Sequence, residues 1–161
     1  MSPHLRTATP DDSDAIARLV NQAFRPERFF IDADRTDPVK IYDLLHKGKF
    51  LLIEEAGANS GSTLTGCVYV EVRGERGYFG LLAVDPARQR SGIGARLIAA
   101  AEEDCRASGC RFMDLTLVNV RAELPSYYRR FGYFETGTLP FPSDQHPPKI
   151  PVHLVQMSKA L

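Results

Sequence analysis

Residues 84–95 read Val-Asp-Pro-Ala-Arg-Gln-Arg-Ser-Gly-Ile-Gly-Ala, and this stretch decides the fold. An apolar strand runs into a polar turn, then into the pair Gly92 and Gly94, and then into a long amphipathic helix. The first N–H groups of a helix have no partners within it and lie at the positive end of its dipole. Glycines let an anion approach those groups closely. The stretch therefore predicts a phosphate site built from backbone, although a glycine pair at a helix start is also ordinary turn chemistry.

Two common phosphate motifs do not fit this spacing. A P-loop requires Lys and then Ser or Thr directly after its last glycine, but Gly94 is followed by Ala95 and Arg96. A dinucleotide fingerprint requires a third glycine three residues after the second, where this chain has Leu97. Both failures disfavour a nucleotide-binding protein of another fold.

Composition indicates one soluble globular domain, residues 1–161. The chain is 43% hydrophobic and 25% charged with a formal net charge of zero, and it has no basic run that would suggest a nucleic-acid partner. No apolar run approaches the roughly 20 residues of a membrane span, and none resembles a signal peptide. Cys67, Cys105 and Cys110 lack zinc spacing, so we expect reduced, mostly buried thiols, no metal and a cytoplasmic protein.

Hydrophobic periodicity predicts the element order β-α-α-β-β-β-α-β-α-β-β. Asp37 and Pro38 are typical of a helix start, whereas Gly48 and Gly109 are typical of helix ends. The predicted strands cover residues 3–8, 50–54, 67–72, 78–84, 112–118, 133–139 and 152–158. The predicted helices begin near Ser13, Pro38, Ile93 and Leu124. Turns are predicted at 57–61 and 73–77, and a proline-rich ordered loop at 140–151.

The pattern Gln89-x-x-Gly92-x-Gly94 after a strand resembles the acyl-CoA loop of the GNAT superfamily of N-acetyltransferases. The segment from Tyr128 to Tyr133 is similar to a second pattern of that family, Tyr-x-Lys/Arg-x-Gly-Phe/Tyr. The element order also agrees, so the resemblance covers nearly the whole chain. It implies a mixed α/β (α+β) fold, with a mostly antiparallel twisted sheet of about seven strands flanked by four helices.

The resemblance implies acetyl-CoA as co-substrate. The pyrophosphate would bind backbone N–H groups at the helix start, and the thioester would bind the preceding strand, one of whose N–H groups would stabilise the oxyanion. The implied CoA-binding residues are Leu82, Ala83, Val84, Gln89, Arg90, Ser91, Gly92, Ile93, Gly94 and Ala95. The side chains of Arg88, Arg90 and Arg96 are candidates to add positive charge.

One position departs from the family pattern. GNAT proteins often have Asn seven residues before the tyrosine, where this chain has Arg121. Asn119 lies two residues earlier, and both residues stay candidates for a contact with CoA.

The leaving thiolate needs a proton or a hydrogen bond, and the resemblance assigns this role to Tyr128. A phenol with a pKa near 10 is a weaker acid than a thiol near 8.5, so proton donation is uphill by roughly 2 kcal/mol. Tyr128 is therefore expected to act partly as a hydrogen-bond donor. Tyr127 is the rival, but its offset from Gly132 does not fit the pattern.

The amine must lose a proton before it attacks. At pH 7 only about one lysine-like amine in 2,500 is neutral, a handicap of roughly 4.6 kcal/mol, so a general base is useful. Glu71 is the first candidate because it interrupts an apolar strand beside the thioester strand. The weaker candidates are Glu54, Asp114, Tyr78, His4, His146 and His153.

The leading hypothesis is an acetyl-CoA-dependent N-acetyltransferase in which an amine attacks the thioester directly. The alternative is a non-catalytic acyl-CoA-binding or regulatory module of the same fold, and Tyr128 favours the enzyme. The acceptor, a small-molecule or peptide amine, stays open. Segments 25–40 and 140–151 are expected to face it, and Asp32, Asp34 and Asp37 could attract a cationic amine. A homodimer through the C-terminal strands is also possible.

Overall fold

The computed structural model describes residues 3–57, 61–142 and 146–161. The strands are β1 (His4–Thr7), β2 (Lys49–Ala56), β3 (Ser62–Arg73), β4 (Arg76–Val84), β5 (Phe112–Val118), β6 (Phe134–Pro140) and β7 (His153–Ala160). The helices are α1 (Ser13–Ala23), α2 (Pro38–Leu44), α3 (Ile93–Ala107) and α4 (Glu123–Arg129). This order confirms the predicted one. Residues 58–60 of the predicted turn and 143–145 of the predicted loop lie outside the described residues.

One sheet contains all seven strands, in the spatial order β1-β2-β3-β4-β5-β7-β6. Every neighbouring pair is antiparallel except β4 and β5, which are parallel. The predicted fold, a mostly antiparallel seven-stranded sheet with four helices, is therefore confirmed. No helix in the described ranges is long and apolar enough to cross a membrane.

Two hydrophobic cores cover the two faces of the sheet, as the alternation in β3 predicts. Val68 and Val70 pack in the core that contains the apolar side of α3. Cys67 and Tyr69 point to the opposite face and pack in the core that contains the buried side of α1. Because both faces of β3 are buried, its central residues form a nearly continuous apolar run.

The predicted hairpin turn at 73–77 is shorter in the structure. Arg73 and Arg76 pair across the strands, so the turn consists of Gly74 and Glu75 alone. Gly74 has a φ of +67°, the left-handed conformation that glycine adopts readily at the first position of such a turn. Because the turn is tight, β3 continues to Arg73 and β4 begins at Arg76, so both strands are longer at this turn than predicted.

β4 and β5 pair over only three residues of each strand. The pairing ends at Tyr78 and Asp114, and beyond this point the two strands diverge. β4 also contains a bulge, because Gly80 and Ala83 oppose Tyr69 and Cys67, which leaves an extra residue on the β4 side. Leu81 within the bulge has a φ of +49°, a strained conformation for a leucine. The divergence and the bulge together shape the site described next.

Candidate active site

The divergence of β4 and β5 opens a cavity of about 1300 Å³. This exceeds the roughly 300–1,000 Å³ of a typical small-molecule site, so the cavity has room for a large ligand or two ligands. At one end, here called the α3 end, it is lined by Gln89, Arg90, Gly92, Ile93, Gly94 and Ala95. At the other, called the loop end, it is lined by residues between α1 and α2 and by Arg73, Phe141 and His146.

Two residues with positive φ turn the chain into α3. Arg90 has a φ of +67°, and Gly92, the N-cap, has a φ of +85°. The helix makes its first backbone bond from the Arg96 N–H to the Gly92 carbonyl at 3.0 Å. The N–H groups of Ile93, Gly94 and Ala95 precede this bond and have no helical acceptor. The α3 end of the cavity therefore has the backbone donors and the dipole orientation of an anion site.

Gly94 lies directly beneath a tyrosine hydroxyl. A Cβ atom at this position would come within 2.7 Å of Tyr127 Oη. The bare backbone of Gly94 thus lets Tyr127 close over the first turn of α3. Tyr127, the weaker acid candidate, lines the cavity beside this turn.

Tyr128 lines the middle of the cavity from α4. Its ring is buried against Phe79, Tyr127 and Tyr133. Every fully buried side-chain nitrogen or oxygen in the described ranges has a hydrogen-bond partner, and Tyr128 Oη makes no such bond to them. Tyr128 is one of the residues that line the cavity. Burial raises the pKa of Tyr128 above its ordinary value, with a smaller opposing effect from Arg121, so the phenol is protonated at neutral pH.

The structure brings most of the predicted CoA-binding residues to this cavity. It is lined by Leu82, Val84, Gln89, Arg90, Gly92, Ile93, Gly94, Ala95 and Arg121. The side chain of Ala83 is buried in the core on the opposite face, and Ser91 donates to the Arg88 carbonyl within the loop. Neither of these two side chains lines the cavity.

Only some of the predicted cations, and only one of the two candidates before α4, line the cavity. Arg88 lines the cavity and pairs with Glu55, whereas Arg96 points away and donates to the Pro3 carbonyl at 2.9 Å. Asn119 Oδ1 accepts from the His153 N–H at 2.9 Å, so it ties the end of β5 to the start of β7. Of the pair Asn119 and Arg121, only Arg121 lines the cavity.

Glu71 does not line the cavity. Its carboxylate accepts from Tyr69 Oη at 2.6 Å and from Arg73 Nε at 2.5 Å. Burial raises the pKa of Glu71, but these two hydrogen bonds outweigh it and hold the pKa below the ordinary value. The structure therefore does not bring Glu71 together with Tyr128, and both of its oxygens are engaged.

Most of the weaker base candidates also lie elsewhere. Glu54 pairs with Arg6 at 2.6 Å and Asp114 with Arg76 at 2.7 Å. His4 lies on edge strand β1, and His153 is exposed at the start of β7. Tyr78 and His146 are the candidates that line the cavity.

Glu27 lies in segment 25–40, which the sequence predicts to face the acceptor, but the sequence does not single it out as a site residue. It lies in a short turn of 3₁₀ helix after α1, lines the cavity, and has a side chain only 12% exposed. It pairs with Arg121 at 3.1 Å. Burial raises the pKa of Glu27 even though Arg121 and Arg35 oppose the shift. No local pattern could reveal this residue, because its partner lies 94 positions away.

The described residues contain no group of three or more side chains that could hold a metal ion. The cavity, the α3 end and Tyr128 form a site for an anionic ligand beside a protonated phenol. The model of the acetyltransferase (GNAT) family matches residues 14–133, and the chain belongs to this family. As a member, the protein is an acyltransferase of a family that uses acetyl-CoA.

Solved structures share the fold over nearly the whole chain. The ribosomal-protein-S18-alanine N-acetyltransferase from Escherichia coli is 14% identical with a TM-score of 0.77, covering 99% of this chain and 94% of that chain. Nourseothricin acetyltransferase is 21% identical with a TM-score of 0.75, covering 99% of both chains. The yncA protein from Salmonella typhimurium, solved with its cofactor acetyl-CoA, is 20% identical with a TM-score of 0.73, covering 100% of this chain and 95% of that one. No curated protein matches the chain.

Proposed function

We propose that the protein transfers an acetyl group from acetyl-CoA to an amine by direct attack within the cavity between β4 and β5. The observation that carries this proposal is the placement of Tyr128 in the same cavity as the free backbone donors of α3. A module that only bound acyl-CoA would need the backbone donors of α3 but would not need Tyr128. The cavity volume of about 1300 Å³ also leaves space for a second substrate.

The α3 end would bind the CoA pyrophosphate. The N–H groups from Arg90 to Ala95 lie where a phosphate meets the positive end of the helix dipole. The side chains of Gln89 and Arg90 line the same end and can add hydrogen bonds and charge. The negative charge of the donor is thus held mostly by backbone, which needs no particular side chain.

The thioester would lie along the free edge of β4. Past Tyr78 the backbone of β4 has no partner strand on the β5 side, so its polar groups can bind the extended pantetheine arm. Leu82, at the bulge, is the residue whose N–H we assign to the thioester carbonyl. A donor fixed at the developing oxyanion acts in the transition state without reorganisation.

Tyr128 would donate a hydrogen bond to the sulfur as the C–S bond breaks. Because burial raises its pKa, full proton transfer to the thiolate is more unfavourable than the sequence suggests. A protonated phenol nevertheless stabilises developing negative charge on sulfur. The thiolate then leaves as the thiol once it takes a proton from Tyr128 or from solvent.

Glu27 would remove the proton from the incoming ammonium. It lines the cavity, and burial raises its pKa above the ordinary carboxyl value, which makes the carboxylate a stronger base. The neutral amine attacks the carbonyl carbon, the C–N bond forms, and the second amine proton is lost as the amide is produced. Glu71, whose oxygens are both hydrogen-bonded outside the cavity, stays a prediction that separate variants can test.

The experiment is a calorimetric titration with acetyl-CoA, followed by measurement of CoA thiol release with a panel of amines. Release must exceed the amine-free hydrolysis blank, and mass spectrometry must find the acetylated amine. Binding without transfer to any amine would support the non-catalytic module. Absence of acetyl-CoA binding would remove both functions.

We also propose a cytoplasmic location and a homodimer. Three free, buried cysteines fit a reducing compartment. Every residue of β6 is exposed, and this strand lies at the edge of the sheet, which suits pairing with a second copy. Light scattering would separate monomer from dimer.

A further inference from the structure

The loop end of the cavity carries more positive charge than its carboxylates balance. Its charged lining consists of Arg35, Lys40, Arg73, Arg121, Glu27 and Asp34. Glu27 pairs with Arg121, and Asp34 pairs with an arginine outside the cavity at 2.6 Å. Arg35 and Lys40 make no ion pair with any residue in the ranges that the structure describes. An anion bound here would meet two cations that make no direct ion pair with these residues.

The acidic residues expected to attract a cationic amine have other partners. Asp32 and Asp34 both lie within ion-pair distance of Arg28, at 3.6 and 2.6 Å. Asp37 caps α2 by accepting from the Lys40 N–H at 2.9 Å. The sequence suggests an acidic acceptor site. In the structure these carboxylates instead bind partners within the segment between α1 and α2 and the first turn of α2.

Arg73 is held in a fixed orientation at the rim of the loop end. Its Nε donates to Glu71 at 2.5 Å, and its guanidinium carbon lies 4.3 Å from the centre of the Tyr78 ring. The other oxygen of Glu71 is fixed by Tyr69. The two terminal nitrogens of Arg73 donate no hydrogen bond to the described residues. A guanidinium with these nitrogens free matches the fork geometry of a carboxylate.

The Tyr78 ring holds this guanidinium on the wall of the cavity. The Tyr78 ring lies along β4 over Gly80, since a Cβ there would come within 2.6 Å of Tyr78 Oη. Tyr78 and Tyr128 both line the cavity. Arg73, stacked on Tyr78, therefore lies on the wall of the cavity that also contains Tyr128.

We propose, on the basis of the acetyl transfer proposed above, that the acceptor is an α-amino acid whose carboxylate is bound by Arg73 and Arg35. An apolar side chain fits the same end, which Ile31, Phe141 and Leu154 also line. The cations have a second effect, because positive charge near the ammonium lowers its pKa and eases its deprotonation. Glu71 is then a positioning residue for Arg73.

The test compares leucine, methionine and phenylalanine with their amides and their decarboxylated amines. CoA release is measured for each, and kcat/KM is corrected for the neutral fraction from the titrated pKa of each amine. We expect each acid to exceed its amide by at least about tenfold, as loss of a charge-assisted bidentate contact implies. Arg73→Gln should lower this ratio, and the double variant Arg35→Gln/Arg73→Gln should reduce it to near one. Arg25→Gln is the control. It removes an exposed arginine between α1 and α2 that does not line the cavity, so the ratio should be preserved.

Glu71→Gln distinguishes a positioning residue from a base. If Glu71 holds Arg73, the variant raises KM for the amino acids and lowers the acid-to-amide ratio. If Glu71 is the base, kcat falls with acids, amides and simple amines alike.

A second readout is calorimetric binding of the acids and amides to the CoA-bound protein. Equal or weaker binding of the acids overturns the inference, as does faster acetylation of amides, decarboxylated amines or peptide N-termini. Those outcomes leave acetyl transfer standing. Absence of CoA release with every amine, together with absence of acetyl-CoA binding, removes the proposed function itself.

Discussion

The two ends of the cavity differ in the groups that line them: backbone at the α3 end and side chains at the loop end. The α3 end is backbone from one continuous stretch, with Gly92 and the first turn of α3 supplying N–H groups. The loop end is made of side chains from separate segments, among them Glu27, Arg73 and Phe141. Backbone donors suit a ligand that every family member shares, whereas dispersed side chains can change without disturbing the fold. In the proposed function, the α3 end binds the donor common to the family and the loop end binds a particular acceptor.

The largest expected effect distinguishes Glu27, at the loop end, from Glu71, on β3, as the general base. Glu27→Gln removes the proposed base while keeping the size of the side chain, so kcat/KM should fall about 100-fold or more. Glu123→Gln is the matched control, because it removes the other carboxylate that Arg121 contacts and leaves Glu27 in place. A larger loss in Glu71→Gln than in Glu27→Gln would return the role of base to Glu71.

A second prediction isolates the backbone geometry of the α3 end. Gly92→Ala places a side chain at a φ of +85° in open space, so the cost is backbone strain of about 1–2 kcal/mol. We expect the Kd for acetyl-CoA to rise about tenfold as the loop relaxes. Gly109→Ala introduces the same strain at φ +88°, also in open space, beyond the other end of α3. Equal loss of affinity in both variants would mean that the effect is general destabilisation.

The smallest effect is a shift in pH dependence. Glu27 must be ionised to act as a base, so activity rises with pH through its pKa. Burial raises that pKa and Arg121 lowers it, hence Arg121→Gln should move the acidic limb of kcat/KM to higher pH. Arg129→Gln, which breaks a pair with Glu135 on the exposed side of α4, should leave the limb in place. An unmoved limb in Arg121→Gln would exclude Glu27 as its source.

The sequence predicted the fold and the α3 end because both depend on local patterns. Turn residues, helix periodicity and the glycines near Gly92 act over a few positions, and the structure confirms the element order. The divergence of β4 and β5 has no local signature, since it results from where the pairing at Tyr78 stops. Leu81 in the left-handed region likewise follows from the bulge and not from its own preference.

The sequence predicted the segments 25–40 and 140–151, which line the loop end, but it could not predict which of their side chains meet, because these come together only in the folded chain. Glu27 meets Arg121 across 94 positions, and neither residue lies in a recognisable motif. Glu71 is singled out by the sequence because it interrupts an apolar strand, and its role as the base stays a prediction. The structure shows that this carboxylate accepts hydrogen bonds from Tyr69 and Arg73.

The central claim is that donor binding and acetyl transfer depend on different groups in one cavity. Tyr128→Phe tests it most directly, because the ring keeps its contacts with Phe79 and Tyr133 and loses only the hydroxyl. On one preparation, acetyl-CoA affinity is measured by calorimetry and kcat by CoA release with the best amine. We predict a Kd within about twofold of the parent protein and a kcat lowered about 100-fold. An unchanged kcat, or a loss of acetyl-CoA binding equal to the loss of rate, would contradict the account.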